Sequence, residues 1–151
     1  LLGRELRLVH QAEESHRRLD PEFVADERET VFADGYPILI TSEASLAALN
    51  DELDDPVEML RFRPNIVVDG ELAWDEDHWH ELTIGGHPFA AVKGCVRCSL
   101  TGVDPSTGTT SPEPLETLGR LRDAVTFGMN LVHAAPCEIA VGDEVCVSRR
   151  A

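Results

Sequence analysis

The chain lacks any apolar run approaching the ~20 residues of a membrane-spanning helix, which excludes a helical span as a reading of its 151 residues. Positive charge is also scarce, with 13 Lys+Arg against 28 Asp+Glu and a formal net charge of −15. Attraction to a phosphate backbone or an anionic membrane is opposed over most of such a surface, so nucleic acid drops out of the expected partners. The acid is spread along the chain, densest at Glu13-Glu14, Asp51-Glu52, Asp54-Asp55 and Asp75-Glu76-Asp77. Runs of this kind read as solvated faces rather than sites, and an acid-rich, salt-adapted proteome is another source of the imbalance. No signal peptide precedes the four cysteines. A chain of this length buries roughly 68–70% of its unfolded surface without staples, so a reducing, cytoplasmic setting is expected. An initiator Met is missing too. Leu1-Leu2-Gly3-Arg4 reads as the end of a helix running into a strand, and residues 1–151 are expected to form one domain belonging to a longer protein.

What is present reads as many short strands and two small helices. Residues 4–10 set Leu6 and Leu8 against Glu5 and Arg7, the period-two pattern of a half-buried strand. Residues 11–29 are polar and charged with Pro21, and read as a long loop of the sort that serves as a lid or binding loop. Asp34-Gly35-Tyr36-Pro37 reads as a tight turn in which glycine permits positive φ, followed by a buried strand at Ile38-Leu39-Ile40. Ser42 is the expected N-cap of a helix with Glu43 in its first turn and Leu46, Leu49 and Leu53 on its core face. Residues 59–68 read as a strand interrupted at Pro64, which confines it to an edge or a bulge. Gly85-Gly86 has the spacing of a two-residue hairpin turn, and residues 98–103 read as a further strand. Pro112 and Pro114 open a helix carrying Leu115, Leu118 and Leu121. Gly142-Asp143 turns a last hairpin over residues 138–148, where Ile139, Val141, Val145 and Val147 alternate. The expected fold class is mainly β with a few short helices, barrel-like in arrangement.

The segment richest in chemistry is Cys95-Val96-Arg97-Cys98, which runs on to Val103-Asp104-Pro105-Ser106-Thr107-Gly108. Zinc would want a second pair at similar spacing, and Cys137 and Cys146 stand too far apart to supply it. A thioredoxin-like pair opens a helix in a βαβ setting, whereas β-prone residues flank this one. A third reading makes one thiolate the soft ligand of a transition metal, with Arg97 favouring the ionised sulfur or binding an anionic group. Against it stands the plain reading of two small buried residues on a strand. His78-Trp79-His80 places two imidazoles on one strand face, but the carboxylates around them favour a solvated edge, with Trp79 in the core or at a barrel rim.

Several separated motifs then carry a resemblance. In order they are Asp34-Gly35-Tyr36-Pro37, Ser42-Glu43-Ala44-Ser45-Leu46, Phe62-Arg63-Pro64-Asn65-Ile66-Val67, Trp79-His80-Glu81-Leu82-Thr83-Ile84-Gly85, the Cys95 to Gly108 segment, Pro114-Leu115-x-Thr117-Leu118, Phe127-Gly128 and Val141-Gly142-Asp143. From about Gly3 to Val147 the chain resembles the MOSC domain, the C-terminal domain of molybdenum-cofactor sulfurases, in its amidoxime-reducing-component-like branch.

The resemblance implies a MOSC β-barrel-like domain holding the molybdenum cofactor (molybdopterin), with Cys98 as metal ligand and catalytic residue and Cys95 as a companion without a ligand role. It implies cofactor contacts from Asp34, Gly35, Tyr36, Arg63, Asn65 and Arg97, and places Asn130 near the metal. The residue types suit such contacts, because an arginine fork grips phosphate bidentately, an amide matches the edges of a pterin, and a glycine turn exposes N–H groups to an anion. Two departures stand out. Cys137 occupies a position where relatives commonly have Gly, and the preceding β-rich portion that supplies further basic contacts is not in the chain. The implied function is that of a molybdenum-dependent oxidoreductase reducing N-hydroxylated or N-oxygenated small molecules. Its electrons would come from a separate iron–sulfur, haem or flavin protein. The alternative is a sulfur-carrier or cofactor-maturation module with a persulfide on Cys98, and a third reading is a non-catalytic binding module. Pyridoxal phosphate binding is a further attribute that the resemblance brings with it.

Overall fold

The computed structural model describes residues 5, 7–10, 12, 18–19 and 35–150. Six strands form one curled, half-barrel sheet: β1 (Ile38–Ser42), β2 (Ile66–Val68), β3 (Trp79–Ile84), β4 (His87–Val96), β5 (Thr126–His133) and β6 (Val145–Arg150), in spatial order β2-β1-β5-β4-β3-β6. Only β1 and β2 run parallel. A parallel neighbour needs a crossover, and helix α1 (Glu43–Asn50) with the turn at Met59–Phe62 provides it. A second short helix, α2 (Leu115–Leu121), precedes β5. The domain is mainly β, as expected.

Local chemistry accounts for the elements that the sequence announces. Ser42 leaves β1 in an extended conformation and its Oγ accepts the Ala44 N–H at 3.2 Å, which satisfies one of the orphan donors at the start of α1. Leu46 and Leu49 are buried from that helix and meet Phe62, Leu118 and Phe127 in one cluster, with Leu53 packed against it. Gly85 (φ 57°) and Gly86 (φ 82°) supply the two left-handed residues of a tight hairpin turn between β3 and β4. The Glu113 carboxylate accepts from both N and Oγ1 of Thr117 at 3.0 Å, holding the first turn of α2. Of that helix's three leucines only Leu118 is fully buried, and Leu121 is largely open to solvent.

Elsewhere the chain departs from the expected pattern. Glu5 and residues 7–10 form no strand, and Leu8 is fully exposed, while Arg4, Leu6, most of residues 11–29 and Asp34 lie outside the described residues. Gly35 uses no positive φ. Residues 59–62 wind into a 3-10 turn rather than a strand, so only Ile66–Val68 joins the sheet, at its edge. Ser99–Gly102 is likewise a 3-10 turn. Of the last expected hairpin only the second arm is a strand, and it pairs with β3, Leu82 opposite Val147 and Ile84 opposite Val145. Asp143 makes the turn before it, its Oδ2 accepting the Ala140 N–H at 2.8 Å. Central strand β5 has no counterpart in the pattern reading. Gly128 interrupts its apolar run with φ 77°, and a Cβ there would stand 2.5 Å from the Ile40 carbonyl oxygen, so only glycine permits β1 and β5 to approach as they do.

Trp79 is buried in the core with His78 and His80 exposed on either side, and its Nε1 donates to Asp75 at 2.9 Å. Beside it Glu76 is fully buried. Its Oε2 accepts from Ser45 Oγ at 2.8 Å, and Oε1 finds no partner. Burial raises this carboxyl above the usual range. Stability derived from its neutral form is therefore complete below the ordinary value of 4.5 and is lost as pH climbs through the folded pKa. Its neighbour Asp75 is lowered, chiefly by Arg150, and contributes in the opposite direction: present above 3.8, lost as pH falls through its folded value. In Glu76→Gln the decline between pH 5 and 8 should flatten, with stability at pH 8 equal to or above that of the parent. Urea unfolding at the two pH values measures it, and an undiminished decline would exclude Glu76 as the source.

Candidate functional site: an arginine-lined cleft around Cys98

A cleft of about 310 Å³ opens where the C-terminal end of β4 meets the Met59–Phe62 turn. Gly35, Tyr36, Arg63, Asn65, Arg97, Cys98 and Asn130 all line it, so the site residues expected from the sequence come together with the exception of Asp34, which lies outside the described residues. Cys95, Val96, Leu100, Arg61 and Thr101 complete much of the remaining wall. In a chain with 28 acidic residues, no described lining residue is Asp or Glu, while three are arginines.

Each wall is held by identifiable contacts. Strand β4 carries register irregularities at 91/93 and 94/96, and such bulges re-aim the residues beside them. Beyond the strand, Cys98 is extended, its carbonyl accepting from both the backbone N (3.2 Å) and Oγ1 (3.0 Å) of buried Thr101. The main chain of Cys98 is thus clamped, while the residue itself is exposed and its thiol free. Gly102 next to Thr101 admits no side chain, since a Cβ would lie 2.3 Å from the Ser111 carbonyl oxygen. The following Asp-Pro loop is closed by Asp104, whose Oδ1 accepts from Ser106 N (2.8 Å), Ser106 Oγ (2.6 Å) and Thr107 N (3.1 Å). Those hydrogen bonds, with Arg61 nearby, lower its pKa to about 2.

Arginine roles separate clearly. Arg61 donates to Asp104 Oδ2 at 3.2 Å and to the Thr101 carbonyl at 3.4 Å, so its charge is spent on the loop. Nothing in the sequence marks this pairing, because 43 residues separate the partners. Arg63 is exposed in left-handed backbone (φ 53°, ψ 49°), and its guanidinium has no hydrogen bond or ion pair among the described residues. Arg97, expected to serve Cys98 or an anion, is turned elsewhere. Its NH1 donates to Cys95 Sγ at 2.8 Å and its NH2 to the Phe62 carbonyl at 2.7 Å.

The two amides are partly engaged. Asn65 brackets β1, its Oδ1 accepting the Leu39 N–H at 2.8 Å and its own backbone N–H donating to the Leu39 carbonyl at 2.9 Å. Asn130 on β5 donates from Nδ2 to the Lys93 carbonyl at 3.1 Å, which leaves its Oδ1 available as an acceptor. Lys93 is the only lysine in the sequence and does not line the cleft, so the Schiff base that pyridoxal phosphate forms has no amine there. Beneath the cleft Phe62 and Phe127 stack with centroids 3.8 Å apart, and Trp74 meets Phe127 edge-on at 5.9 Å.

A half-barrel sheet whose strand ends present an open thiol and a set of arginines defines a β-domain with a cleft suited to an anionic, soft-metal ligand. The chain belongs to the MOSC domain family, whose model matches residues 27–146. It is 42% identical over 155 residues to "Mitochondrial amidoxime-reducing component 1" of Homo sapiens, a match covering 92% of this chain and 46% of that protein. The same component of Mus musculus is 37% identical, over 90% of this chain and 43% of its own length. "Mitochondrial amidoxime reducing component 2" of Rattus norvegicus is 50% identical over 62% of this chain and 28% of its own length. The chain spans about half the length of the component 1 relatives or less.

Proposed function

We propose that this chain is the molybdenum-cofactor-binding domain of an oxidoreductase that reduces N-hydroxylated and related N-oxygenated small molecules. One observation carries the reading: in a strongly acidic chain the described cleft has no carboxylate, and it combines an exposed thiol with an arginine that has no ion pair among the described residues. The names of the relatives, amidoxime-reducing components, support the substrate class.

The donor set fits the cofactor. Cys98 offers a soft sulfur to molybdenum, Arg63 an open fork to the phosphate, and Asn65 and Asn130 polar edges to the pterin, with Gly35 and Tyr36 beside it. When bound, the cofactor supplies two-electron removal of oxygen from nitrogen, the substrate taking up two electrons and two protons and releasing water. The protein's share is to clamp Cys98 through Thr101, to keep Arg61 neutralised by Asp104, and to present Val96 and Leu100 as an apolar lip beside the thiol. The electrons would come from a partner protein of iron–sulfur, haem or flavin type. No helix among the described residues is long and apolar enough to cross a membrane. Four free thiols suit a reducing compartment, cytoplasmic or organellar.

Protein expressed with intact molybdopterin synthesis tests the reading. Molybdenum should co-purify, and reduction of an amidoxime by a chemically reduced dye should depend on it. Arg63→Ala should lower molybdenum retention roughly tenfold, the loss of a charge-assisted grip. Arg149→Ala, whose partner is exposed Glu81, should leave it unchanged. Equal occupancy in both variants counts against the assignment. A persulfide on Cys98 without metal would favour the sulfur-carrier alternative.

A further inference from the structure

Cys95 is not a ligand in the proposed cofactor site, yet its sulfur accepts a hydrogen bond from Arg97 within the cleft wall. The Arg97 guanidinium lies 5.6 Å from the centroid of the Phe62 ring, with NH1 on Cys95 Sγ and NH2 on the Phe62 carbonyl. Its Nε is buried and unpartnered. Each terminal nitrogen therefore spends one of its N–H groups on an acceptor inside the protein, which ties the fork to the cleft wall. The backbone N–H of Arg97 is fixed as well, donating to the Val125 carbonyl at 2.8 Å.

The target of NH2 gives this arrangement its meaning. The Phe62 carbonyl belongs to the peptide plane whose rotation defines φ of Arg63, and that φ is 53°. Left-handed backbone is strained for a non-glycine residue and persists only where the surroundings hold it. A charged donor on the Phe62 carbonyl supplies that hold from the opposite wall of the cleft. Cys95, two residues earlier on the Arg97 wall, aligns the fork so that NH2 reaches across.

We infer that Cys95, Arg97 and the Phe62 carbonyl form a bracket that positions Arg63, so that Arg97 acts on an anionic cofactor through the Arg63 backbone and not by contact of its own. The inference rests on the cofactor reading proposed for this cleft and assigns the paired-cysteine motif a second function. Cys98 faces the ligand, and Cys95 orients the arginine between them.

The test compares molybdenum retained after desalting in protein expressed with intact molybdopterin synthesis. Arg97→Gln should lower retention roughly tenfold, as loss of an outer-shell partner does. Added to Arg63→Ala it should cost less than about twofold more, because the residue it positions is already gone. Cys95→Ala should fall in the same direction, and Cys95→Ser, which keeps an acceptor, should recover most of the loss. A full tenfold loss on top of Arg63→Ala, or no loss in Arg97→Gln alone, overturns the bracket. The cofactor-free protein gives an independent reading by NMR. Arg97→Gln should shift the Arg63 amide resonance and its φ-dependent coupling while those of Arg149 stay in place, and unmoved Arg63 signals overturn the bracket whatever the metal does. Should Arg97→Gln fail to fold, Arg97→Lys, which keeps the charge and loses the fork, carries the same comparison. If Arg63→Ala itself keeps its molybdenum, the cofactor reading fails, a result distinct from failure of the bracket.

Discussion

In Cys98→Ser, molybdenum retention should fall by more than about tenfold with the fold intact, the largest functional effect expected of any single change in this chain. The substitution replaces one atom at an exposed position, so the domain loses nothing in packing, and stability should stay within about 0.5 kcal/mol of the parent. The chemical difference is large. Sulfur is a soft, polarisable donor, and a serine hydroxyl oxygen is a hard one. Thr101 still clamps the main chain through the carbonyl of residue 98, so the replacement side chain remains where the thiol was. Elemental analysis beside a thermal melt separates the two quantities. Full molybdenum content in Cys98→Ser would remove this residue as the ligand, and a collapsed melt would mean that the position is structural.

Phe127→Ala should cost about 3–5 kcal/mol of stability, the usual range for deleting a buried aromatic ring. Phe127 is fully buried, stacks on Phe62 and receives Trp74 edge-on, so its removal empties the junction between α1, α2 and the floor of the cleft. The loss is a substantial part of the roughly 5–15 kcal/mol available to a domain. Urea denaturation measures it, as a lower midpoint at unchanged slope. Phe127→Leu, which refills part of the space, should restore more than half. A loss under about 1 kcal/mol in Phe127→Ala would show that the stack contributes little and that the cleft is held from elsewhere.

Much of the fold was legible where the determining physics is local. Ser42 as a cap, Leu46 and Leu49 as a core face, and Gly85-Gly86 as a hairpin turn each depend on residues a few positions apart, and all three stand in the structure. The failures share a different cause. Strand β5 is hidden because Gly128 and Asn130 break its apolar run, for reasons that lie in β1 and in the cleft. Residues 59–62 and 99–102 coil and pack against each other beside that cleft, a long-range arrangement that residue type alone does not encode. Val145 and Val147 alternate as a strand should, yet their partner is β3, more than sixty residues upstream, and no pattern within residues 138–148 could point there. At the site, motif matching gathered residues scattered from Gly35 to Asn130 into one cleft. The links between them were beyond its reach. That Arg61 is neutralised by Asp104 and Arg97 is turned toward Cys95 depends on side-chain directions, set beside the bulges of β4 and in the turn at Met59–Phe62.

The contrast between an acidic exterior and an arginine-lined mouth has a kinetic side. At a distance the molecule repels an anion; within a few ångströms of Arg63 it attracts one. An incoming phosphate ester therefore climbs a barrier before it enters a well. Dissolved salt, which cuts the reach of the distant field to about 8 Å at physiological strength, lowers the barrier more than it weakens the well. Hand-over from a carrier already touching the surface avoids the climb altogether, so under the cofactor reading proposed above this chain's charge distribution favours direct transfer over capture from solution.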